Sequence, residues 1–154
     1  MNVYEDIQID NYGTSAGEGG TASVVTGTLV APRLVRVHGQ DMRVAVKFIR
    51  SDAKSPEKEI EITDSFKYEV AIMCNLPSIP QIVKLIGYSE SPRAIIMKYY
   101  PLSLKKLIDS VYDTGDPRIC LKIMGDIATG MARLHKSGIL HLDIKPRKCN
   151  PSKF

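Results

Sequence analysis

Cysteine is scarce in this chain: its 154 residues include three, and an odd number cannot form a closed set of disulfides. Cys74 and Cys120 fall on apolar stripes, so we expect reduced thiols packed as small hydrophobic side chains in a cytoplasmic protein. Long apolar runs are also missing, since no stretch approaches the roughly 18 residues that a membrane span requires. The acidic start, MNVYEDIQID, lacks the apolar segment of a secretory signal. These absences predict a cytoplasmic protein with no membrane partner.

A concentration of charge of one sign is absent as well. The 21 basic and 17 acidic residues leave a net charge of +4 and are spread along the whole chain. A nucleic-acid surface needs basic residues clustered on one face, so we predict no nucleic-acid partner. The hydrophobic share of 44% and the charged share of 25% are typical of a globular protein with a buried core.

Four segments have the composition of β-strands. Residues 23–30 and 42–50 are rich in β-branched side chains, and the proline and glycine between them predict an antiparallel pair. Residues 82–90 and 94–100 are a second pair of candidates, joined by a turn-forming Ser-Pro-Arg.

Three segments have the apolar spacing of helices. We predict a helix over residues 65–76, capped by Asp64 or Ser65, after a charged connector at 51–64. A short helix is predicted over 102–112 and a long one over 117–138, which Gly138 closes. The helix over 65–76 carries an apolar face, and the long helix carries a stripe that we expect to be buried. Their members are Phe66, Val70, Met73 and Cys74 in the first, and Cys120, Met124, Ile127, Met131 and Leu134 in the second.

The run AGEGGTASVV contains Gly17, Gly19 and Ala22 at the spacing G-x-G-x-x-G, with alanine in the third place. Glycines at such positions let backbone N–H groups approach phosphate oxygens. Taken alone, the pattern is more typical of a flexible hairpin tip. A dinucleotide-binding loop would open a helix here, whereas a β-branched strand follows, which argues against that fold.

The second feature is a pair of charged residues, Lys47 and Glu69. Lys47 shares a strand face with Ala45, while Val44 and Val46 share the other face. By itself it reads as a lysine in water, and Glu69 as a solvated helix residue. If the two meet, the carboxylate can hold the amine against a phosphate.

The third feature is the stretch HLDIKP, which follows the long helix. Asp143 in this loop can accept a hydroxyl proton, or it can be a turn aspartate that bonds its own backbone. His141 is more typical of a packed structural histidine than of an acid or base.

The order of these features resembles a eukaryotic protein kinase domain, from about Gly17 to Arg147. The resemblance implies an α+β fold: a kinase-like N-lobe with an antiparallel sheet and a helix αC, then a truncated helical C-lobe. The implied divisions are an N-terminal extension (1–12), the N-lobe (13–97), a hinge (98–101) and a partial C-lobe (102–154).

The resemblance also implies roles in binding ATP. Gly17, Gly19 and Ala22 would cover the phosphates, Lys47 would contact the α- and β-phosphates, and Glu69 would position Lys47.

Other residues of the resemblance surround the base and the acceptor. Val24 and Ala45 would sandwich the adenine, Met97 would be the gatekeeper, and the backbones of Lys98 and Tyr100 would bond the base edge. Asp143 would orient the acceptor hydroxyl, and Lys145 would contact the transferred phosphoryl, as in kinases specific for serine and threonine.

Departures from the family pattern concern regulation and the metal. Leu142 replaces the usual arginine, and Lys148 stands where the pattern has an asparagine that binds Mg²⁺. Asn150 lies two residues too late, and no D-F-G precedes Phe154. ATP and Mg²⁺ are expected for the family, but no metal ligand is assigned here.

We therefore predict a serine/threonine-type protein kinase domain with impaired transfer, truncated by a frame shift or a mis-predicted exon. The alternative is a catalytically inactive fragment that binds nucleotide or docks on a partner kinase. An unstable fragment with an exposed apolar patch is a third reading.

Overall fold

A computed structural model describes residues 6–10, 17–19, 22–30, 42–51, 53–110 and 116–150. Two compact units contain them: Met1–Leu76 with Lys84–Tyr99, and Pro77–Val83 with Tyr100–Phe154. In chain order the strands and helices are β1 (Ile7–Ile9), β2 (Gly17–Gly19), β3 (Ala22–Leu29), β4 (Arg43–Ile49), α1 (Pro56–Asn75), β5 (Leu85–Glu90), β6 (Arg93–Lys98), α2 (Leu104–Ser110) and α3 (Pro117–Lys136).

The first unit is built on an antiparallel sheet with the order β1-β3-β4-β6-β5, and β2 pairs with β3. The predicted α+β fold and antiparallel pairs are confirmed. The last pair starts later than expected, because Ile82 N–H closes a turn on Ile79 O and the strand begins at Leu85. The proline and glycine expected to punctuate the first pair, between residues 30 and 42, lie outside the described residues.

Alternation along the central strands divides the core between the two faces of the sheet. Val44 and Val46 of β4 are fully buried, and together with Ile96 of β6 they belong to one cluster. On the opposite face Ile95 packs against Phe66 and Val70 of α1. The helix therefore covers the face that also carries Lys47, because Lys47 and Ile95 are cross-strand partners.

Helix α1 corrects our prediction, because it begins at Pro56 rather than near residue 65. Ser55 caps it by accepting a hydrogen bond from Lys58 N–H at 3.3 Å, so the predicted caps at Asp64 and Ser65 are wrong. Of the helix residues only Phe66 and Val70 are buried, so its first half has no apolar period to reveal it.

The predicted packing of Cys74 and Cys120 as small hydrophobic side chains is also wrong, since both are exposed, although both are free thiols as expected. The expected stripe on α3 is buried at Leu134 and half-buried at Ile127 and Met131, whereas Met124 is 66% exposed. The spacing identified the helix, but the stripe is not buried along its whole length, because Cys120 and Met124 in its first half are exposed.

In the second unit, one glycine permits a left-handed backbone conformation and another permits a close approach between segments. Gly138 has φ +73°, and its N–H bonds His135 O to end α3. Gly130 is buried beside Gln81, whose Cβ would lie 3.1 Å from an added Cβ. A cavity of about 230 Å³ lies nearby, between α3 and the loop of residues 141–150. The predicted short helix ends at Ser110, and positions 111 and 112 lie outside the described residues.

Strand β1 was not predicted, and Gly27 provides its test. A Cβ at Gly27 would meet Gln8 O and Ile7 Cγ2 at 2.9 Å, so Gly27→Ala must displace β1. We expect a loss of about 1–3 kcal/mol in the free energy of unfolding, as for overpacking, measured by urea denaturation.

The matched control is Gly125→Ala on α3, where nothing lies within 4 Å of an added Cβ. Because alanine suits a helix interior better than glycine, we expect a gain of about 0.5–1 kcal/mol. Equal losses in both variants would contradict the pairing of β1 with β3.

Candidate functional site

Lys47 and Glu69 form an ion pair inside the first unit. Lys47 Nζ lies 2.6 Å from Glu69 Oε1 and 2.7 Å from Oε2, so one ammonium is shared by both carboxylate oxygens. The side chains are 26% and 40% exposed. A pair as open as this contributes roughly 0–1 kcal/mol to stability. The reading of both groups as separate solvated charges is therefore wrong, and stability does not explain their pairing.

The glycine strand lies in the same part of the sheet as this ion pair. Gly17 pairs with Val24 on β3, and Val24 pairs in turn with Lys47 on β4. Gly19 pairs with Ala22, so β2 and β3 form a hairpin whose turn lies outside the described residues. Two strand spacings of about 4.8 Å each separate the glycine backbone from the β4 backbone.

The residues predicted to surround a base are distributed over two units. Ala45 and Met97 are cross-strand partners on β4 and β6, next to the pair of Lys47 and Ile95. Lys98 ends β6, and its N–H donates to Lys84 O at 3.0 Å. Tyr100 belongs to the second unit and lines the cavity there.

Asp143 holds two lysine ammonium groups in the second unit. Lys148 Nζ lies 2.5 Å from Asp143 Oδ2, and Lys145 Nζ lies 3.2 Å from Oδ1. The 3₁₀ turn at Pro146–Lys148, closed by Lys148 N–H on Lys145 O at 2.8 Å, brings Lys148 back towards the aspartate. These contacts, first with Lys148 and then with Lys145, hold the pKa of Asp143 below its usual value.

The other residues of this loop differ from expectation. His141 is exposed, so its prediction as a packed structural histidine is wrong. Leu142, in the place of the family's usual arginine, is 92% exposed. The carboxylate of Asp143 contacts the ammonium groups of Lys148 and Lys145 rather than its own backbone, which is not the arrangement of a simple turn aspartate.

The sequence pattern described as protein tyrosine and serine/threonine kinase matches residues 11–150, far more than half of the chain. The chain belongs to the protein kinase family. A probable serine/threonine-protein kinase of Dictyostelium discoideum is 34% identical over 152 residues, covering 94% of this chain. Tyrosine-protein kinase Mer of Mus musculus is 33% identical over 167 residues, covering 97% of this chain.

A third relative has a different specificity in its name. Dual specificity protein kinase zakA of Dictyostelium discoideum is 25% identical over 154 residues and covers 92% of this chain. The chain spans 10% of the first relative's length, 17% of this one's and 16% of the Mer kinase's. The relatives' names span serine/threonine, tyrosine and dual specificity, so they leave the acceptor of this kinase domain open.

The residues around Asp143 do not suit the binding of a divalent cation. In the family an asparagine five residues after the aspartate binds Mg²⁺. Here that place is held by Lys148, whose ammonium occupies one Asp143 oxygen while Lys145 faces the other. Within the described ranges, no three His, Cys, Asp or Glu side chains are grouped to hold a metal ion. None of the helices in these ranges combines the length and the apolar character that a membrane span requires.

The contact between Lys148 and Asp143 is not among the sequence predictions, which note only that Lys148 replaces a Mg²⁺-binding asparagine. The available signal was Pro146, which starts a 3₁₀ turn and so brings a side chain back onto the aspartate.

This contact makes a prediction about titration. Replacing Lys148 by asparagine removes the main cause of the lowered pKa, so the pKa of Asp143 should rise towards that of an ordinary aspartate. Carbon NMR of the Asp143 carboxyl across an acid titration measures it. The matched control is Lys122→Asn, which breaks the separate pair with Asp126 and should leave Asp143 unchanged. An unchanged pKa in Lys148→Asn would show that the two side chains do not meet.

Proposed function

We propose that this protein kinase domain binds ATP and belongs to the serine/threonine type, with phosphoryl transfer impaired by Lys148. The supporting observation is the ion pair of Lys47 with Glu69, in which one ammonium is held by two carboxylate oxygens at 2.6 and 2.7 Å. Since the pair contributes little to stability, its place on the helix-covered face of the sheet has another use.

That use is the binding of phosphate. Glu69 fixes the ammonium of Lys47 in one position, so the ordering cost is met before an anion arrives. The backbone of Gly17 and Gly19 approaches the nucleotide without side chains. ATP brings the γ-phosphoryl group, and this chain's own part is to position the phosphates and to balance their charge.

Residues near the base follow the family pattern. We assign Ala22 to the phosphate-covering loop and Val24 and Ala45 to the two faces of the adenine. Met97 takes the gatekeeper position, and the backbones of Lys98 and Tyr100 bond the base edge. Asp143 orients an acceptor hydroxyl, and Lys145 balances the charge of the transferred group.

Impairment follows from the contacts of Asp143. An acceptor hydroxyl must compete with Lys148 for Oδ2, and the same ammonium stands where the family binds metal. Removal of one preorganised electrostatic group costs about 10²–10³ in rate. Each tenfold loss corresponds to roughly 1.4 kcal/mol of barrier. Sustained transfer of labelled γ-phosphate to a generic acceptor protein, with Mg²⁺ present, would contradict the impairment.

The second candidate is a domain that binds nucleotide, or docks on a partner kinase, without catalysis. The ammonium of Lys148 on Asp143 favours it, because a fixed cation there substitutes for the family's metal-binding amide. ATP binding that is indifferent to Mg²⁺ supports this candidate, whereas binding that requires Mg²⁺ supports the enzyme.

The three cysteines are free thiols, the state expected in the reducing cytoplasm, where we place the domain.

Removal of the Lys47 ammonium tests the nucleotide site. A ligand that binds only the folded state stabilises it by RT ln(1+[L]/Kd), which is about 2.7 kcal/mol at 100 times Kd. We expect ATP to raise the melting temperature of the unaltered chain and to raise that of Lys47→Met much less.

The control variant is Lys58→Met, which removes a half-exposed lysine that pairs with Glu61 on α1. Its response to ATP should equal that of the unaltered chain. If Lys47→Met responds to ATP as fully as Lys58→Met does, the assignment of Lys47 to the phosphates is wrong.

A further inference from the structure

The first half of α1 lacks an apolar anchor. None of residues 56–65 is buried, and Phe66 and Val70 supply the buried contacts of the helix in its second half. A helix packed at one end leaves its other end, and its rotation about its own axis, weakly determined. Polar contacts must therefore set the direction of the first half.

Arg93, the first residue of β6, makes those contacts. One terminal nitrogen of its guanidinium lies 2.6 Å from Glu59 Oε1, and the other donates to Thr63 Oγ1 at 2.7 Å. The Arg93 side chain is 18% exposed, the lowest value among the residues in the ion pairs described here. The Thr63 hydroxyl donates to Glu59 O at 2.8 Å, which leaves its oxygen to accept from Arg93.

Glu59 is held from a second direction as well. Ser51, just beyond β4, donates its hydroxyl to Glu59 Oε2. The hydrogen bonds from Ser51 and then from Arg93 hold the pKa of Glu59 below its usual value. The beginning of α1 is thus tied to the segment that follows β4 and to the first residue of β6.

The Arg93 guanidinium forms a fork, with one nitrogen on Glu59 and the other on Thr63. The geometry of this fork matters more than its charge. Glu59 and Thr63 are four residues apart, so they lie one above the other on the same helix face. A planar guanidinium with one nitrogen on each of them fixes both the rotation of the helix and its position along its axis. A lysine ammonium is a single point of charge and cannot present two nitrogens in a fixed plane.

The same helix carries Glu69 ten residues after Glu59, which is about 15 Å along the axis. Phe66 lies between the two glutamates and Val70 directly follows Glu69, and both pack against Ile95, so the helix rests on the sheet close to Glu69. A rotation permitted at Arg93 is transmitted along the rigid helix to Glu69 and changes its approach to Lys47.

We propose that Arg93 is a positioning residue, which sets the rotation of α1 through Glu59 and Thr63 and thereby holds Glu69 on Lys47. The inference concerns the geometry of the ion pair, and it rests on the proposed function only where that pair is assigned to phosphate.

The test observes Lys47 directly. In the full chain labelled with ¹⁵N-lysine, an ammonium held by two oxygens gives a slowly exchanging resonance, assigned by its loss in Lys47→Arg. We expect Arg93→Gln to weaken this resonance or to shift it to the position of a free lysine. Arg93→Lys should restore it only in part.

A charge swap separates positioning from mere support. Arg93→Glu should lose the Lys47 resonance, and Arg93→Glu combined with Glu59→Arg should recover much of it. The control Lys58→Gln, on the same helix, should leave it unchanged. Should Arg93→Gln fail to fold, Thr63→Val removes one acceptor with little change of shape and should shift the resonance in the same direction.

The outcomes distinguish this inference from the proposed function. A lower melting temperature with an unchanged Lys47 resonance, in Arg93→Gln or Thr63→Val, would show that Arg93 only supports the fold and would overturn the inference. If the resonance responds as expected but ATP does not stabilise the unaltered chain, the positioning role stands and the nucleotide site fails. If both hold, ATP affinity should fall severalfold in Arg93→Gln.

Discussion

The contact between Lys47 and Glu69 is the interaction on which the interpretation of this domain depends. It joins β4 to α1 through one ammonium and two carboxylate oxygens. A half-open pair contributes too little to hold a helix in place, so the surrounding structure must set its geometry. The apolar contact of Phe66 and Val70 with Ile95 sets the distance between α1 and the sheet. The fork of Arg93 sets the rotation of α1 about its own axis.

The number of ammonium groups at each carboxylate differs between the two units. In the first unit the single ammonium of Lys47 contacts both oxygens of the Glu69 carboxylate. At Asp143 two ammonium groups face a single carboxylate, so the charge that would orient a hydroxyl or hold a metal is already balanced. Under the proposed function, the residues assigned to phosphate keep the family's lysine–glutamate pair. The residues assigned to the acceptor and metal depart from the family pattern, and Lys148 is the departure that contacts Asp143.

Sequence patterns predicted much of this because strands and the order of charged residues are local. β-Branched alternation located β3, β4 and β6, and the pairing of Lys47 with Glu69 followed from family resemblance. The first half of α1 was missed because polar caps rather than apolar spacing define it. Exposure of Cys74 was missed because a helical period marks a face without saying how far its partner extends. The ties of Arg93 depend on tertiary distance, which no sequence period encodes.

A double-mutant cycle on ATP binding tests the central claim most directly. Calorimetric titration of the unaltered chain, Lys47→Met, Glu69→Gln and the double variant gives the interaction energy between the two side chains. If Glu69 acts by holding Lys47, the double variant binds no more weakly than Lys47→Met alone, and the interaction energy is about 0.5–3 kcal/mol. Strictly additive losses would contradict the account, because they would mean that the carboxylate and the ammonium act independently.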